Sequence, residues 1–132
     1  MHYFAKFKKE KDGGYSVSFP LLKGCFSEGD SFEEAKDMAS EALLLWLESA
    51  LEYNEAIPAP KEYSGKDYVA IEVPALVAVA VQLKIERGKR SIEEMSSIIH
   101  NYEKYENVSN PTIRSLEKIA NALGKRLEIK FA

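Results

Sequence analysis

The stretch that decides the fold is GGYSVSFPLLKGCFSEGDSFEEA, which runs from Gly13 to Ala35. Before it, Tyr3–Lys9 alternates between apolar and polar residues, as a half-buried strand does. A glycine-containing turn at 12–14 separates this run from a second alternating run at Tyr15–Phe19, which predicts an antiparallel hairpin. Gly24–Ser27 is then expected to form a short third strand.

A capping-box pattern opens the first helix. Ser31 and Glu34 have the spacing at which the serine hydroxyl accepts a free amide of the first turn and the glutamate reaches back to the serine amide. The helix is expected to run to about Tyr53. One apolar face, repeating at three and four residues, is expected to cover the sheet: Phe32, Ala35, Met38, Ala39, Ala42, Leu43, Trp46, Leu47, Ala50 and Leu51.

A fourth strand is predicted at Asp67–Val73, where apolar and polar residues alternate again after the stiff Ile57–Pro60 linker. The order β-β-β-α-β indicates a two-layer α+β domain over residues 1–73. Residues 74–132 are expected to form a separate small helical module. Its predicted elements are a helix from Pro74 to Gly88, a helix over Ser91–Ile99, a helix opened by Asn110-Pro111 and closed by Gly124, and a terminal strand over Leu127–Phe131.

Composition limits the class of protein. The chain has 132 residues, a net charge of −3 and one cysteine, which excludes an internal disulfide framework and fits a reducing, cytoplasmic compartment. The lysines near the start argue against a signal peptide, and the longest apolar run, Val73–Val81, is too short to cross a membrane. The charge is uneven: residues 1–67 hold 8 basic and 13 acidic residues, and residues 68–132 hold 10 basic and 8 acidic residues. An acidic first half suits a basic partner, although ordinary charge scatter explains these counts equally well.

The sequence offers no catalytic set, so we expect a protein that is not an enzyme. His100 is interpreted as a histidine near a helix end, Cys25 as a small buried thiol, and the acidic residues after Ser31 as a solvated helix face. No zinc-type ligand spacing and no phosphate-binding glycine loop occur, so no metal and no cofactor are expected.

The first 73 residues resemble the HicB antitoxins. The resemblance rests on motifs whose order and spacing match through Pro58 and resume over Tyr68–Val73: Gly13-Gly14-Tyr15, Phe19-Pro20, Leu22–Phe26, Glu28–Ser31, Glu33–Ala35, Leu43, Trp46 and Leu47. It implies a partial RNase H-like fold without a working nuclease site. It also implies a partner, a HicA-type toxin, which is a small basic mRNA-cleaving protein that the antitoxin obstructs.

Aromatic and apolar residues of the opening stretch are the candidate toxin-binding anchors: Tyr15, Phe19, Pro20, Leu22 and Phe26. Each of them also suits the core, and for Phe19 and Phe26 the core is the preferred interpretation. A third hypothesis, a metal-dependent RNase H-like nuclease, would need converging strand acids. The predicted strands provide only Glu10 and Glu72.

The motifs of the second half are Leu83–Gly88, Ser91–Ile99, Glu106-Asn107, Asn110-Pro111 and Ser115–Lys125. Together they resemble the Cro/repressor-type helix-turn-helix, with one departure. His100–Tyr105 stands where that family has a glycine turn and a full recognition helix, about one helical turn longer. The resemblance implies a homodimer, or a tetramer or larger hetero-oligomer, that binds the operator DNA of its own operon. The alternative is a dimerising interaction module that no longer binds DNA specifically. Candidate DNA contacts, each of which could instead be merely solubilising, are Lys84, Arg87, Lys89, Arg90, Tyr102, Lys104, Asn107, Ser109 and Arg114.

Overall fold

A computed structural model describes all residues from Met1 to Ala132. The elements follow one another as β1 (His2–Lys9), β2 (Tyr15–Ser18), β3 (Phe26–Gly29), α1 (Phe32–Glu52), β4 (Tyr68–Glu72), α2 (Ala75–Arg87), α3 (Ile92–Ile98), a 3₁₀ helix (Tyr102–Glu106) and α4 (Ile113–Ala122). The α+β class and the β-β-β-α-β order of the first half are therefore confirmed.

The four strands form one antiparallel sheet in the order β3-β2-β1-β4. Tyr3, Ala5 and Phe7 of β1 are buried, because successive side chains of a strand point to opposite faces and these three point toward α1. The registers Phe7↔Val17 and Tyr3↔Ile71 bring the buried residues of neighbouring strands onto the same face. Helix α1 covers that face, and the other face is the open face of the sheet.

Ser31 caps α1 as predicted, since its hydroxyl accepts a hydrogen bond from the Glu34 amide at 3.1 Å. The Glu34 carboxylate accepts from the Asp30 amide at 3.3 Å, and not from the Ser31 amide as expected. The predicted apolar face of α1 is also too wide. Phe32 and Met38 are 38% and 40% exposed, because Phe32 is the first residue of the helix and Met38 lies on its outward side, away from the sheet.

A close approach fixes the junction between β3 and α1. A Cβ atom on Gly29 would lie 2.4 Å from the Ala35 amide nitrogen, which is backbone and cannot yield. Only glycine fits this position, and the Gly-Asp turn before the helix is therefore a packing requirement as well as a turn.

The apolar core is divided into two clusters. The larger one joins the sheet, α1 and the first part of α2, including Val77 and Val81. The smaller one is centred on Met95, Tyr102 and Ile119, from α3, the 3₁₀ helix and α4. Helix α2 thus contributes to the core of the first half, although the predicted boundary at residue 74 assigns it to the second.

Three details of the second half differ from the sequence prediction. Pro74 is the N-cap of α2 and precedes the first helical residue. Thr112 caps α4 through its hydroxyl, so the cap lies two residues beyond the predicted Asn110. The predicted terminal strand over Leu127–Phe131 does not form, because no other strand lies beside it. Gly124 does end α4, with φ of 72° and hydrogen bonds from Gly124 and Lys125 to the last turn.

Candidate interaction surfaces

Two of the five predicted toxin-binding anchors lie in the core. Phe19 is 3% exposed and Leu22 is 1% exposed, because the turn after β2 folds both side chains under α1. Neither side chain is available to a partner. The preferred core interpretation of Phe19 therefore agrees with the structure, and the assignment of Leu22 as an anchor is corrected. Sequence alone could not decide this, since the same apolar residues suit a core and an interface.

The other three anchors are accessible to different degrees. Tyr15 is half-buried against Phe7 and Phe32, and Pro20 is exposed in the turn after β2. Phe26 is 70% exposed, against the preferred core interpretation. Its partner in the sheet is Ser18, which places it on the open face of β3 and away from α1.

The outward side of α1 carries an acidic stripe with apolar residues within it. At alternating spacings of four and three residues, which keep side chains on one side of a helix, it contains Glu34, Met38, Glu41, Leu45, Glu48 and Glu52. We call these six residues the α1 stripe. All are exposed, and Leu45 is 69% exposed between acidic neighbours. Leu45 is not among the predicted anchors, although an apolar residue opposite the buried face of an amphipathic helix is a signal that the sequence itself shows.

The charge excess of the first half lies entirely on α1. Helix α1 carries six acidic residues and one lysine, whereas the rest of residues 1–67 carries seven lysines and seven acidic residues. The acidic field of the domain is therefore concentrated on one surface, which is the surface that exposes Leu45.

Nothing in the sheet gathers carboxylates around a metal position. Glu10 follows the last residue of β1, whereas Glu72 pairs with the first residue, His2. Roughly 26 Å of extended strand therefore separates the two carboxylates. Glu10 accepts a hydrogen bond from Ser16 at 2.6 Å, and Glu72 lies 3.6 Å from the His2 imidazole. No group of three or more His, Cys, Asp or Glu side chains is placed to hold a metal ion.

The two remaining candidates for reactivity are placed as the sequence analysis described them. Cys25 is buried as a free thiol, and burial raises its pKa to about 11. His100 is exposed in the turn that follows α3.

A buried ion pair holds the 3₁₀ helix against α2. Arg87 Nε and Nη2 donate to the two Glu106 carboxylate oxygens at 2.6 and 3.0 Å, and Nη1 donates to the Arg90 carbonyl at 2.7 Å. The two side chains are only 12% and 8% exposed. The hydrogen bond to Glu106 raises the pKa of Arg87. Arg87 is therefore occupied inside the protein, and its assignment as a DNA contact is corrected.

Tyr102 is also withdrawn from the surface. Its side chain is fully buried between Met95 and Ile119, and its hydroxyl has no hydrogen-bond partner. Burial raises the pKa of Tyr102, with a further contribution from nearby Glu106. A buried phenol cannot reach a base or a phosphate, so this DNA contact is corrected as well.

The side chains of the remaining predicted DNA contacts differ in exposure and in their hydrogen bonds to other parts of the protein. Lys84 donates to Asn54 at 2.8 Å and Arg90 donates to the Ala122 carbonyl at 2.9 Å, so both are partly engaged. Asn107 donates to the Glu103 carbonyl at 3.3 Å, and Ser109 is half-buried. Among these predicted contacts, the exposed cations with neither an ion-pair partner nor a side-chain hydrogen bond are Lys89, Lys104 and Arg114.

A comparison with protein families decides what this architecture is. A sequence profile described as HicB_like antitoxin of bacterial toxin-antitoxin system matches residues 3–115, which is most of the chain. The chain belongs to the HicB-like antitoxin family. An antitoxin role in a bacterial toxin–antitoxin system follows from that membership.

One known relative of this HicB-like protein matches nearly its whole length, and another matches part of it. Antitoxin HicB 2 of Photorhabdus laumondii is 31% identical over 136 residues, covering 98% of this chain and 95% of the relative. Antitoxin HicB 1 of the same organism is 42% identical over 81 residues, covering 61% of this chain and 50% of the relative. The crystal structure of the N-terminal domain of Burkholderia pseudomallei antitoxin HicB superposes with a TM-score of 0.50 at 20% identity, covering 56% of this chain and 99% of that one. That similarity shows the fold of the shared part.

One further property of this HicB-like chain concerns membranes. None of its helices combines the length and the apolar character needed to cross a bilayer.

Proposed function

We propose that this HicB-like protein neutralises a small basic HicA-type mRNA interferase by docking the α1 stripe on the cationic RNA-binding surface of the toxin. Family membership supports the antitoxin role, and the position of the charge excess supports the surface. Bound there, the antitoxin excludes RNA by occupying the surface that RNA phosphates would contact. Inhibition of this kind requires shape and charge and no reactive group.

The observation that carries the proposal is the charge concentrated on one helix. Six carboxylates on α1 create a local negative field, while the remainder of the first 67 residues is neutral on balance. Opposite fields accelerate the encounter of two proteins and suppress wrong orientations. A basic partner would therefore approach α1 in preference to the open face of the sheet.

Apolar contacts within the charged surface would hold the complex once it has formed. Leu45 is 69% exposed and Met38 is 40% exposed, and acidic residues surround both. Binding energy is usually concentrated in a few such apolar side chains that a polar rim shields from water. Leu45 is thus the proposed centre of the contact.

Phe26 offers a second apolar contact on the other side of the sheet. Together with Tyr15 and Pro20, it stays a predicted anchor. Because Phe26 and Leu45 lie on opposite faces of the domain, one small partner contacting both would have to wrap around an edge of the sheet. Substitutions on the two faces therefore separate the two surfaces.

The test is binding of the co-expressed toxin to charge-reversed variants. Glu41→Lys with Glu48→Lys should reduce the association rate at least tenfold and abolish growth rescue, because like charges then face each other. Glu62→Lys with Glu117→Lys makes the same change of net charge away from both α1 and Phe26 and is the matched control. Equal effects of the two double variants, or full rescue by the α1 variant, would overturn the docking surface.

We also propose that the second half binds operator DNA as a homodimer and represses its own operon. The exposed Lys89, Lys104 and Arg114, none of them ion-paired, support phosphate contacts around the 3₁₀ helix. The 3₁₀ helix itself has five residues and buries two of them, Tyr102 and Glu106, which leaves few side chains for reading bases. We therefore expect phosphate contacts to dominate the affinity.

A gel-shift titration with the upstream promoter, repeated over a salt series, tests this second proposal. Lys104→Ala with Arg114→Ala should weaken binding to specific and unrelated DNA alike and flatten the salt dependence by about two phosphate contacts. Lys8→Ala with Lys66→Ala, in the first half, is the control. Absence of any DNA binding would leave the alternative, a module that serves dimerisation alone.

A further inference from the structure

The last residues of the chain have a strand pattern but no partner. In Leu127–Phe131 apolar residues alternate with Glu128 and Lys130. Residues 126–132 form no backbone–backbone hydrogen bond with the rest of the protein. Ile129 is 61% exposed and Phe131 is 95% exposed. An extended segment with free amides and carbonyls and an exposed apolar face is a template for pairing with another strand.

We propose that this tail pairs antiparallel with the same tail of a second copy, about a two-fold axis through Ile129. In this register Leu127 lies opposite the partner's Phe131, and Glu128 lies opposite the partner's Lys130. The three apolar residues of each tail then share one face, and the two opposite charges pair on the other. The segment is complementary to itself, as an interface between identical copies requires.

Other antiparallel registers of the two tails place like charges opposite each other or set apolar residues opposite charged ones. An axis through Glu128 would oppose the two Glu128 carboxylates and bring Arg126 beside the partner's Lys130. An axis through Lys130 would oppose the two ammonium groups. An axis that passes between two residues, such as Glu128 and Ile129, would set apolar residues opposite charged ones. Directly opposed like charges destabilise a strand pair. An axis through Leu127 would oppose Arg126 to Glu128 but would set Ile129 against the partner's Lys125, so the register about Ile129 is favoured by charge and apolar pairing together.

A groove lined by both apolar and charged side chains, with Arg126 and Glu128 of the tail among them, adjoins the pairing surface. It has a volume of about 670 Å³ and lies between α2, α4, the first residues of β1 and the tail. Leu127 lines this groove together with Leu83, Leu116 and Leu123. Because the partner's Phe131 would lie directly opposite Leu127, its ring would stand at the groove. A pair of strands of this length buries too little surface for a stable interface by itself. The phenylalanine of each copy at the groove of the other would add apolar contact to it.

This inference specifies the dimer of the second proposal above and does not depend on the toxin. A two-fold axis at the tails would place the two copies of α4 near each other, since only residues 123–126 separate α4 from the strand. The tail is then the element that sets the spacing of the two DNA-binding modules.

Cross-linking of the full chain tests the axis. Ile129→Cys in a Cys25→Ala background should form a disulfide-linked dimer under mild oxidation, because a residue on a two-fold axis faces its own copy. Ile98→Cys in the same background is the matched control, since Ile98 on α3 is 59% exposed and Ile129 is 61% exposed. Cross-linking of Ile129→Cys no faster than of Ile98→Cys would overturn the register.

Charge reversal tests the pairing without cysteines. In sedimentation equilibrium, Glu128→Lys and Lys130→Glu should each weaken the dimer at least tenfold, and the double variant should return to within about threefold of the unaltered chain. A dimer that neither single variant weakens, or that the double variant fails to restore, would overturn tail pairing while the dimer itself stands. A chain that is monomeric throughout the concentration range would overturn both. Toxin rescue is read separately and is not expected to change in the single variants.

Discussion

Replacing Arg87 with glutamine removes the cation that the buried Glu106 carboxylate contacts. In the intact protein the pair has two hydrogen bonds, of 2.6 and 3.0 Å, and side chains that are 12% and 8% exposed. After the substitution the carboxylate stays buried without its hydrogen-bonded cation, and the nearby Lys84, which forms no ion pair with it, only partly compensates its charge. Breaking a buried pair in this way costs about 3–5 kcal/mol, more than the pair contributed, because an uncompensated charge is left inside the protein.

The chain provides its own control at the surface. Arg126 Nη2 lies 2.6 Å from Glu128, the same distance as in the buried pair, but these side chains are 84% and 73% exposed. Water screens such a pair, and exposed ion pairs are worth about 0–1 kcal/mol. Arg126→Gln should therefore leave stability almost unchanged, although it removes the same kind of contact.

Urea denaturation followed by circular dichroism measures both variants. For Arg87→Gln we expect a loss of about 3 kcal/mol, which corresponds to a Tm lower by roughly 10 °C in a chain of 132 residues. Hydrogen exchange should locate the loss in α3 and the 3₁₀ helix, which pack in the smaller core cluster. Similar losses for Arg87→Gln and Arg126→Gln would refute the reasoning, because burial would then not decide the strength of the pair.

Three further substitutions or modifications have definite expected outcomes. Gly29→Ala should lower stability by at least about 2 kcal/mol in thermal denaturation, because its Cβ would lie 2.4 Å from the Ala35 backbone nitrogen; a neutral variant would contradict this. Cys25 should react with a thiol reagent at pH 8 only when the protein unfolds. Burial raises its pKa to about 11, so only roughly one thiol in a thousand is ionised at pH 8. Rapid reaction of the folded protein would disprove the assignment of Cys25 as a buried, unreactive thiol. Tyr102→Phe should leave the free energy of unfolding in urea unchanged or raise it by up to about 1 kcal/mol, since it removes a buried hydroxyl that has no hydrogen-bond partner. A loss of more than about 1 kcal/mol would mean that the hydroxyl does bond to Glu106.

The first half of the fold was predictable because its signals are local. Alternation located β1 and β2, and the Ser31 hydroxyl with the Glu34 amide marked the start of α1 within one residue. The exposure of Phe26 was not predictable, because the face that a short strand presents depends on its register. Only the pairing of Phe26 with Ser18 places it on the open face of the sheet.

The candidate DNA contacts show where residue-by-residue inference fails. Arg87 was assigned to a phosphate from its type and its place near the end of α2. Its real partner is Glu106, 19 residues further along, and no local pattern links the two. Tyr102 fails for a related reason, since the 3₁₀ helix turns its ring inward to fill the small core cluster. Long-range packing, and not residue type, decides which polar side chains stay free.

The two proposed surfaces differ in the arrangement of their charges, and this difference separates their partners. On the α1 stripe the exposed Leu45 lies among carboxylates only, so two copies of α1 would repel each other and a basic partner is preferred. On the tail Glu128 and Lys130 flank Ile129 with opposite signs, so each meets its counter-charge on a second copy. Residues 126–132 hold two basic residues and one acidic residue, a net charge of +1, which attracts a charged partner far less than the carboxylates of α1 do. One chain can therefore expose two apolar surfaces that bind different partners, because the charges around each surface select which protein covers it.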